Sequence, residues 1–572
     1  MRAPLFLKSH HAYRNKLYIP PPRGANKWLL FFRYMLRFMR YYKLFEICSP
    51  DTGGLPGAPG VREKYLYTTR NHAFLVWCSV ISFSAMCLSM VHFLLANVLL
   101  WPYVVFFILT VVYFVVSLIV NSNTKNFDLR SHCRLVAGWR PIQYPDIDVF
   151  LPSAGESLDI LRNTWNGVQN MIVHYPGNVF VYSLDDSASP DVARLARTYG
   201  FIYESRPNRG EFKKAGNLRH GFVVSRSPFI AIFDADFKPR PDFLRELLPY
   251  FDADPRVGIV QSPQYFNVSL NQGWLERGAG AVQELFYRFA QVSRQSHDAA
   301  ICVGSNALYR RTALDDIGGT ALIEHSEDVH TGFNLRMHGW TIQYIPVILA
   351  KGLCPAGMTA FFKQQYRWCM GSMSLMTSRK FWQHHASPRT RMSYFSGFLY
   401  YVATALGSIY TPFIPLALLL FYPQQILLHN YLLVLPAVVF TQILYPLWHR
   451  APYGIEAWAT RLVYGWAHLF AIADTIQGTA MPWQATGSKM SKDRRYGYFR
   501  ILQVSCNFLP AIAWVGLAVW RGTQLHSLAY VPMAISGLYY AAISAKVTFY
   551  HQKSLFRTVH TRSAVTVATA DA

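Results

Sequence analysis

Hydrophobic positions along the chain fall into two regimes. In the first, long apolar runs carry no charge. Between Arg70 and Lys125 there are 54 residues without one Lys, Arg, Asp or Glu, and between Arg391 and Arg450 there are 58. Runs of 20 and 24 follow between Arg500 and Arg521 and between Arg521 and Lys546. A membrane-crossing helix needs about 20 apolar residues, so these runs predict two spans, then two, then one and one. The first two fall near 73–95 and 99–120, joined tightly around Asn97 to Pro102. In the second regime, from residue 145, short β-rich runs (Ile147–Leu151, Val179–Leu184, Phe229–Phe233, Val257–Gln261) alternate with helical stretches at Leu158–Val173 and Pro190–Tyr199. That alternation predicts a parallel sheet covered on both faces. Segment 462–482 contains Asp474 mid-run and no apolar stretch of spanning length, so it predicts an interfacial helix. Residues 27–45 place Arg33, Arg37 and Arg40 on one helical face, a pattern for the headgroup region or for packing on a globular domain.

Composition agrees with this division. The 572 residues are 52% hydrophobic and 15% charged, against about 25% charged in soluble proteins. This excludes an ordinary cytosolic enzyme and a disordered basic protein. Of the 31 Asp and Glu, 24 lie between Lys125 and Arg391, which marks a globular domain inserted between the second and third spans. The basic surplus behind the net charge of +24 lies mostly outside that domain. With six spans these basic segments and the domain share one side, which the positive-inside rule makes the cytoplasm. Nucleic-acid binding explains the charge less well, because the cations flank apolar spans. The eight cysteines form no C-x-x-C pair, so neither a zinc site nor a redox motif is indicated. The basic, Pro-rich first 25 residues do not have the form of a cleavable signal peptide.

In a parallel sheet ligands bind beyond the carboxyl ends of the strands. After the predicted strands come Pro152-Ser153-Ala154-Gly155-Glu156, Asp185-Asp186 and Asp234-Ala235-Asp236. A lone D-x-D has little meaning, but three acidic strand ends in series suit Mg²⁺ or Mn²⁺, hard cations that take oxygen ligands and diphosphate oxygens. Lys214 supplies a cation that could answer a diphosphate.

Gly304-Ser305-Asn306, His325-Ser326-Glu327-Asp328 and Gln364-Gln365-Tyr366-Arg367-Trp368 complete an ordered series. Over roughly residues 70–550 that series resembles the processive membrane family 2 glycosyltransferases, most closely bacterial cellulose synthase catalytic subunits and their β-glycan synthase relatives. Lys214-Ala215-Gly216-Asn217 is similar to the family's Lys-Ala-Gly-Asn signature. Asp185-Asp186 is similar to its Asp-Asp-Gly site with Ser187 for glycine, and Ser326-Glu327-Asp328 to Thr-Glu-Asp with Ser for Thr. Gln364, Arg367 and Trp368 fill Q-x-x-R-W. Trp483-Gln484-Ala485-Thr486-Gly487-Ser488-Lys489 resembles the gating loop.

The resemblance implies an α/β nucleotide-sugar glycosyltransferase domain of GT-A type inserted in an α-helical polytopic membrane domain of about six transmembrane helices. It implies Asp328 as catalytic base with Glu327 beside it. Ser153, Glu156, Asp185, Asp186, Lys214, Asp234, Gln364 and Arg367 would hold the nucleotide sugar, and Asp234 and Asp236 a Mg²⁺ or Mn²⁺ ion. Trp368, Gly304 and Ser305 would hold the acceptor, while Trp483, Thr486 and Lys489 would form the gate. The expected plan is a basic segment 1–70, spans 1–2 at 71–124, the transferase domain at 125–360 and interfacial helices at 361–391. Spans 3–4 follow at 392–450, an interfacial helix and gating loop at 451–498, spans 5–6 at 499–550 and a tail at 551–572. The implied activity is processive synthesis of a β-glycan from a UDP-sugar, UDP-glucose first, with export across the plasma membrane. The alternatives are another β-glycan or a non-processive lipid-linked transfer. The partners would be the UDP-sugar, the growing glycan, the lipid bilayer and possible accessory export subunits, with no nucleic acid. Spans 3–6 offer Tyr400, Tyr401, Tyr410, Asn430, Gln442, Asn507, Trp514, Tyr539 and Tyr540 as candidates for a glycan path.

Overall fold

The computed structural model describes residues 48–49, 54–68, 72–96, 101, 103–122, 125–269, 272–383, 386–481 and 494–552. The predicted helix at 27–45 and the Trp483–Lys489 loop lie outside them. Seven strands form the main sheet: β1 (Ile147–Ser153), β2 (Val179–Asp185), β3 (Ile202–Glu204), β4 (Phe229–Ile232), β5 (Val257–Gln261), β6 (Ala307–Arg310) and β7 (Thr341–Tyr344). Their order across the sheet is β7-β5-β6-β4-β1-β2-β3. Every pairing is parallel except those of β6, which runs antiparallel to both β4 and β5. The sheet is therefore mixed, which corrects the all-parallel expectation. The consequence is functional: the residues entering β6, Gly304-Ser305-Asn306, reach the same edge as the carboxyl ends of β4 and β5.

β1 is buried along its whole length, as a strand covered on both faces must be. Its one charge, Asp148, accepts from the Ser227 backbone N–H and hydroxyl (2.7 Å each) and from Arg311 Nη2 (2.9 Å). A buried carboxylate is tolerated only with such partners. The helices at Leu158–Val173 and Pro190–Tyr199 keep their predicted bounds, the first started by Ser157 and the second by Pro190 and ended by left-handed Gly200. The sheet belongs to an α/β domain flanked by helices long and apolar enough to cross a membrane.

Among the described residues six helical segments are long and apolar enough to cross a membrane: Ala73–Leu95, Val104–Asn121, Pro388–Phe421, Leu428–Trp448, Arg494–Gln524 and Leu528–Thr548, spans 1 to 6. Four further helices position the site: α1 (Lys213–Val224), α2 (Trp274–Leu285), α3 (Glu327–Met337) and α4 (Met358–Met376). A fifth, α5 (Ile455–Gln477), holds the segment expected at the bilayer surface. Most of it is buried against α2, α4 and span 3, Asp474 included. α2 reaches α5 at Gly278, where a Cβ would stand 2.6 Å from the Glu456 carbonyl oxygen. Beside that contact Arg277 donates twice to Glu456, at 2.9 and 2.6 Å, with both side chains buried. Removing one partner of such a pair typically costs about 3–5 kcal/mol, so this joint holds the catalytic domain against the helices.

Candidate active site

The sheet edge gathers most of the expected residues. Ser153 ends β1 and Asp185 ends β2 in register with it, and the Ser153 hydroxyl donates to Asp185 Oδ1 at 3.3 Å. Asp185 also accepts from the Ser187 backbone and hydroxyl (2.9 and 2.6 Å), the Ser189 backbone (2.8 Å) and the Tyr203 hydroxyl (3.1 Å). Ser187, which replaces the family glycine, thus ties down the carboxylate. Asp186 receives Nε and Nη2 of Arg206 in a bidentate pair, 2.7 Å each. Arg206 is almost fully buried and lies against α1, where a Cβ on Gly216 would come within 2.2 Å of its guanidinium. The Lys-Ala-Gly-Asn run therefore divides its work by position. Asn217 donates to the Leu184 carbonyl (2.7 Å), Gly216 clears Arg206, and Lys214 reaches the site.

Lys214 Nζ donates to Asp234 Oδ1 (2.5 Å) and to the Gly304 carbonyl (2.9 Å), with Glu327 Oε1 at 3.6 Å. Burial alone would lower this ammonium, but Asp234 and Glu327 outweigh it and hold the pKa above the ordinary lysine value. Ser305 accepts the Asp234 backbone N–H at 2.9 Å. Asp236 is pushed up to about 7 by burial and by the nearby carboxylates of Asp234 and Glu156. Glu156, which accepts the Ala154 backbone N–H at 2.7 Å, is also raised, chiefly by burial. Among the described residues no three His, Cys, Asp or Glu side chains come together closely enough to enclose a metal. Two carboxylates with accumulated negative charge nevertheless suit Mg²⁺ or Mn²⁺, which complete their shells with waters and phosphate oxygens.

Asp328 lies in the first turn of α3, after Ser326 in the left-handed region (φ 54°). Gly304 is left-handed too (φ 68°), and a Cβ there would stand 2.9 Å from the Asp328 side chain. Glycine is thus required on both counts. Burial first, then the neighbouring Glu327, pushes the Asp328 carboxyl up to about 7, with Lys214 opposing. α4 packs against this loop: a Cβ on Gly371 would overlap Ser326 Cβ at 2.1 Å, and the Ser326 hydroxyl donates to the Arg367 carbonyl at 3.3 Å. Arg367 neighbours Asp234 and Glu327, and burial lowers it to about 10.

Residues 229–444 match the family described as Glycosyl transferase family group 2. This segment is a family 2 glycosyltransferase domain. The chain is 33% identical over 241 residues to "Cellulose synthase 1" of Komagataeibacter xylinus, a match over 41% of this chain and 15% of that protein. It is 31% identical over 239 residues to the "Cellulose synthase catalytic subunit [UDP-forming]" of Komagataeibacter sucrofermentans, over 41% of this chain and 31% of that one. The chain therefore spans about a third or less of the length of these curated relatives. Among solved structures it is similar to a mannosyltransferase from Pyrobaculum calidifontis at 15% identity and a TM-score of 0.45, covering 66% of this chain and 99% of that one.

Below its sheet edge the family 2 domain opens into a cavity of about 460 Å³ that runs among the membrane helices. Asp328, Gln365, Trp368 and Ser372 line it, together with Tyr113, Tyr400, Tyr401, Tyr445 and Tyr464. Of the expected path residues only Tyr400 and Tyr401 line it. Asn507 instead accepts from the Trp466 indole (2.8 Å) and donates to the Ser408 carbonyl (2.7 Å), binding helices together. α4 serves two faces: 365, 368 and 372 follow helical spacing toward the cavity, whereas Arg367 turns to Asp234 and Glu327. Gln364 sits half-buried on α4 beside them. The sequence reading missed Arg206, Tyr203, Gln365 and His325. Both ring nitrogens of His325 are buried without a hydrogen-bond partner, and Arg367 and Lys213 lie near it. Only Gln365 had a readable signal, the i, i+3, i+7 spacing with Trp368 and Ser372.

Proposed function

We propose that the protein is a processive, inverting β-glycan synthase that polymerises a UDP-sugar and passes the product through its own membrane helices. The observation that carries the reading is the shared cavity: the Asp328 carboxylate and Trp368 stand on the same wall as tyrosines from spans 2 and 3. An acceptor placed for transfer would already point into the bilayer. A UDP-sugar presents an α-linked anomeric carbon, and one in-line displacement inverts it to a β-glycoside. The acceptor hydroxyl forms the new C–O bond, its proton passes to Asp328, and the anomeric C–O bond to UDP breaks with its electrons leaving on the diphosphate.

In this reading Asp185, Asp186, Ser153 and Glu156 bind the base and ribose, with Arg206 holding Asp186 in place until a ligand competes for it. Arg367 and Gln364 face the diphosphate, Lys214 orients Asp234, and Trp368 stacks on the acceptor sugar beside Gly304 and Ser305. Asp234 and Asp236 would hold a Mg²⁺ or Mn²⁺ ion, which when bound screens the charge of the departing diphosphate. UDP-glucose is the first donor to test, on the strength of the cellulose synthase relatives, with the catalytic domain on the cytoplasmic face of the plasma membrane. Trp483, Thr486 and Lys489 are assigned a lid role over the donor by sequence alone. Purified protein given radiolabelled UDP-sugars, with products sized and cut by linkage-specific glycosidases, tests the reading. A ladder of long β-linked chains is expected, and single-sugar transfer to lipid would replace it with the non-processive alternative.

A further inference from the structure

The cavity that holds Asp328 and Trp368 is also lined by Gln365 and Arg294. Both side chains keep a buried nitrogen without a hydrogen-bond partner, Nε2 of Gln365 and Nη1 of Arg294, in residues 4% and 5% exposed. Among the described residues no other side chain of the cavity wall does so. Gln264, on the same wall, is an amide that the protein does satisfy. Its Nε2 donates to the Val303 carbonyl and its Oε1 accepts from the Tyr287 hydroxyl, 2.9 Å each.

Gln365 stands one helical turn before Trp368 and two before Ser372, on the cavity face of α4, at a place that Q-x-x-R-W leaves open. Arg294 belongs to the short helix Gln291–Gln295, whose Ser293 donates to the Val120 carbonyl of span 2 at 3.0 Å. Gly397 of span 3 makes room for it, since a Cβ there would fall 2.6 Å from Nη2. Tyr113, Tyr394 and Tyr401 are its neighbours, and Tyr401 in turn neighbours Asp328.

A buried donor without an acceptor bears its full desolvation penalty. Gln365 and Arg294 are both N–H donors on one cavity, so what the wall lacks is acceptor oxygen. A hydrocarbon tail brings none. A sugar chain brings hydroxyl and ring oxygens, and its faces suit the tyrosine rings beside them. The guanidinium fork can also answer two adjacent hydroxyls of one sugar at once.

We propose that Gln365 and Arg294 are acceptor ligands. Gln365 hydrogen-bonds the sugar stacked on Trp368 and so presents its nucleophilic hydroxyl to Asp328. Arg294 holds a second sugar of the same chain among the tyrosines of spans 2 and 3. This rests on the synthase reading and adds to it the two groups that select the acceptor.

The test is calorimetry on the full chain in lipid nanodiscs with UDP present, using cellohexaose and chitohexaose as probes. At least one hexaose is expected to bind the wild type. Gln365→Leu should weaken it about three- to ten-fold and Arg294→Met about ten-fold or more, with UDP affinity within about two-fold throughout. R294K, which keeps a donor, should recover most of the loss. In turnover the KM for the hexaose should rise while that for the UDP-sugar holds, a split that a packing defect does not give. Hexaose affinity unchanged in either variant, or no hexaose bound by the wild type, would overturn the assignment. So would a short-chain polyprenyl phosphate that binds in the hexaose's place. Where UDP binding shows that a variant has not folded, the structure of the wild-type chain with the hexaose decides. Sugar oxygens within about 3.2 Å of both side chains support the proposal, and a chain that passes either without such a contact overturns it. Polymer formation from UDP-sugars is a separate readout: its absence removes the synthase reading, while hexaose binding lost in both variants still assigns the site.

Discussion

Asp328 is the base in the proposed reaction, and its surroundings fix how it responds to pH. A base must be ionised to accept a proton, and burial beside Glu327 raises this carboxyl to about 7. Turnover is therefore expected to fall about ten-fold per pH unit well below pH 7, and UDP binding weakens over the same range only through Asp236, also pushed up to about 7. Asp328→Asn should cost about 10²–10⁴-fold in turnover, leave UDP affinity within about two-fold, and keep only the part of the acidic limb that follows UDP binding. A flat pH–rate profile in the wild type would remove Asp328 as the base. Asp236→Ala, or chelation by EDTA, should abolish most turnover, with Mn²⁺ or Mg²⁺ restoring the chelated enzyme but not the variant. The site carboxylates were legible in part because strand ends concentrate them: Asp185 and Asp234 follow strands to one edge, and the turn into α3 brings Asp328 to it. Their cations were less so. Arg206 sits 20 residues beyond Asp186 with no motif spacing, and only the fold, with Gly216 clearing its path, shows the pair.

At the scale of elements, α4, which carries Trp368, packs against the loop before α3, which carries Asp328. The contact is made at Gly371, whose missing side chain leaves room for Ser326. Replacing a mid-helix glycine by alanine ordinarily gains about 0.5–1 kcal/mol. Here the new Cβ meets Ser326 Cβ at 2.1 Å, an overlap that backbone must relieve. Overpacking of that kind costs about 1–3 kcal/mol, so Gly371→Ala should lower the Tm and turnover together. Gly407→Ala, in span 3 with nothing within 4 Å of the new Cβ, should lower neither. Equal thermal unfolding of the two variants would show that the α4 contact is slack. Helices Leu158–Val173 and Pro190–Tyr199 and strand β5 were readable to the residue, because caps and apolar runs delimit them. β6 was not. Four residues, Ala-Leu-Tyr-Arg, carry no periodicity long enough to show a strand or its direction. α2 carries three charges, Glu276, Arg277 and Glu284, all of them buried and partnered.

Across the whole molecule, the number of spans was written in the uncharged runs, but the path between them was not. Apolar helices give no periodicity by which to tell a lipid-facing tyrosine from a channel-facing one, so Tyr113 and Tyr464 were passed over and Tyr539 was included. Tyr539 instead donates to Gln442 at 2.9 Å. The cavity lined by Tyr113, Tyr400, Tyr401, Tyr445 and Tyr464 draws on spans 2, 3 and 4 and on α5, and Asp328 lines it too. A polysaccharide is densely hydroxylated and cannot cross hydrocarbon unaided, because each unsatisfied polar group there is costly. Aromatic rings with hydroxyl tips give it stacking surfaces and hydrogen-bond partners along such a route. If synthesis and export are one process, inside-out vesicles supplied with UDP-sugar should collect polymer in the lumen, resistant to an added glycosidase until detergent opens them. Tyr401→Ala should shorten the chains more than it slows the first transfers, since it removes a wall residue and leaves the donor site whole. Polymer fully digested without detergent would mean that the chain leaves on the side where it is made, and that the tyrosine-lined cavity is not its exit.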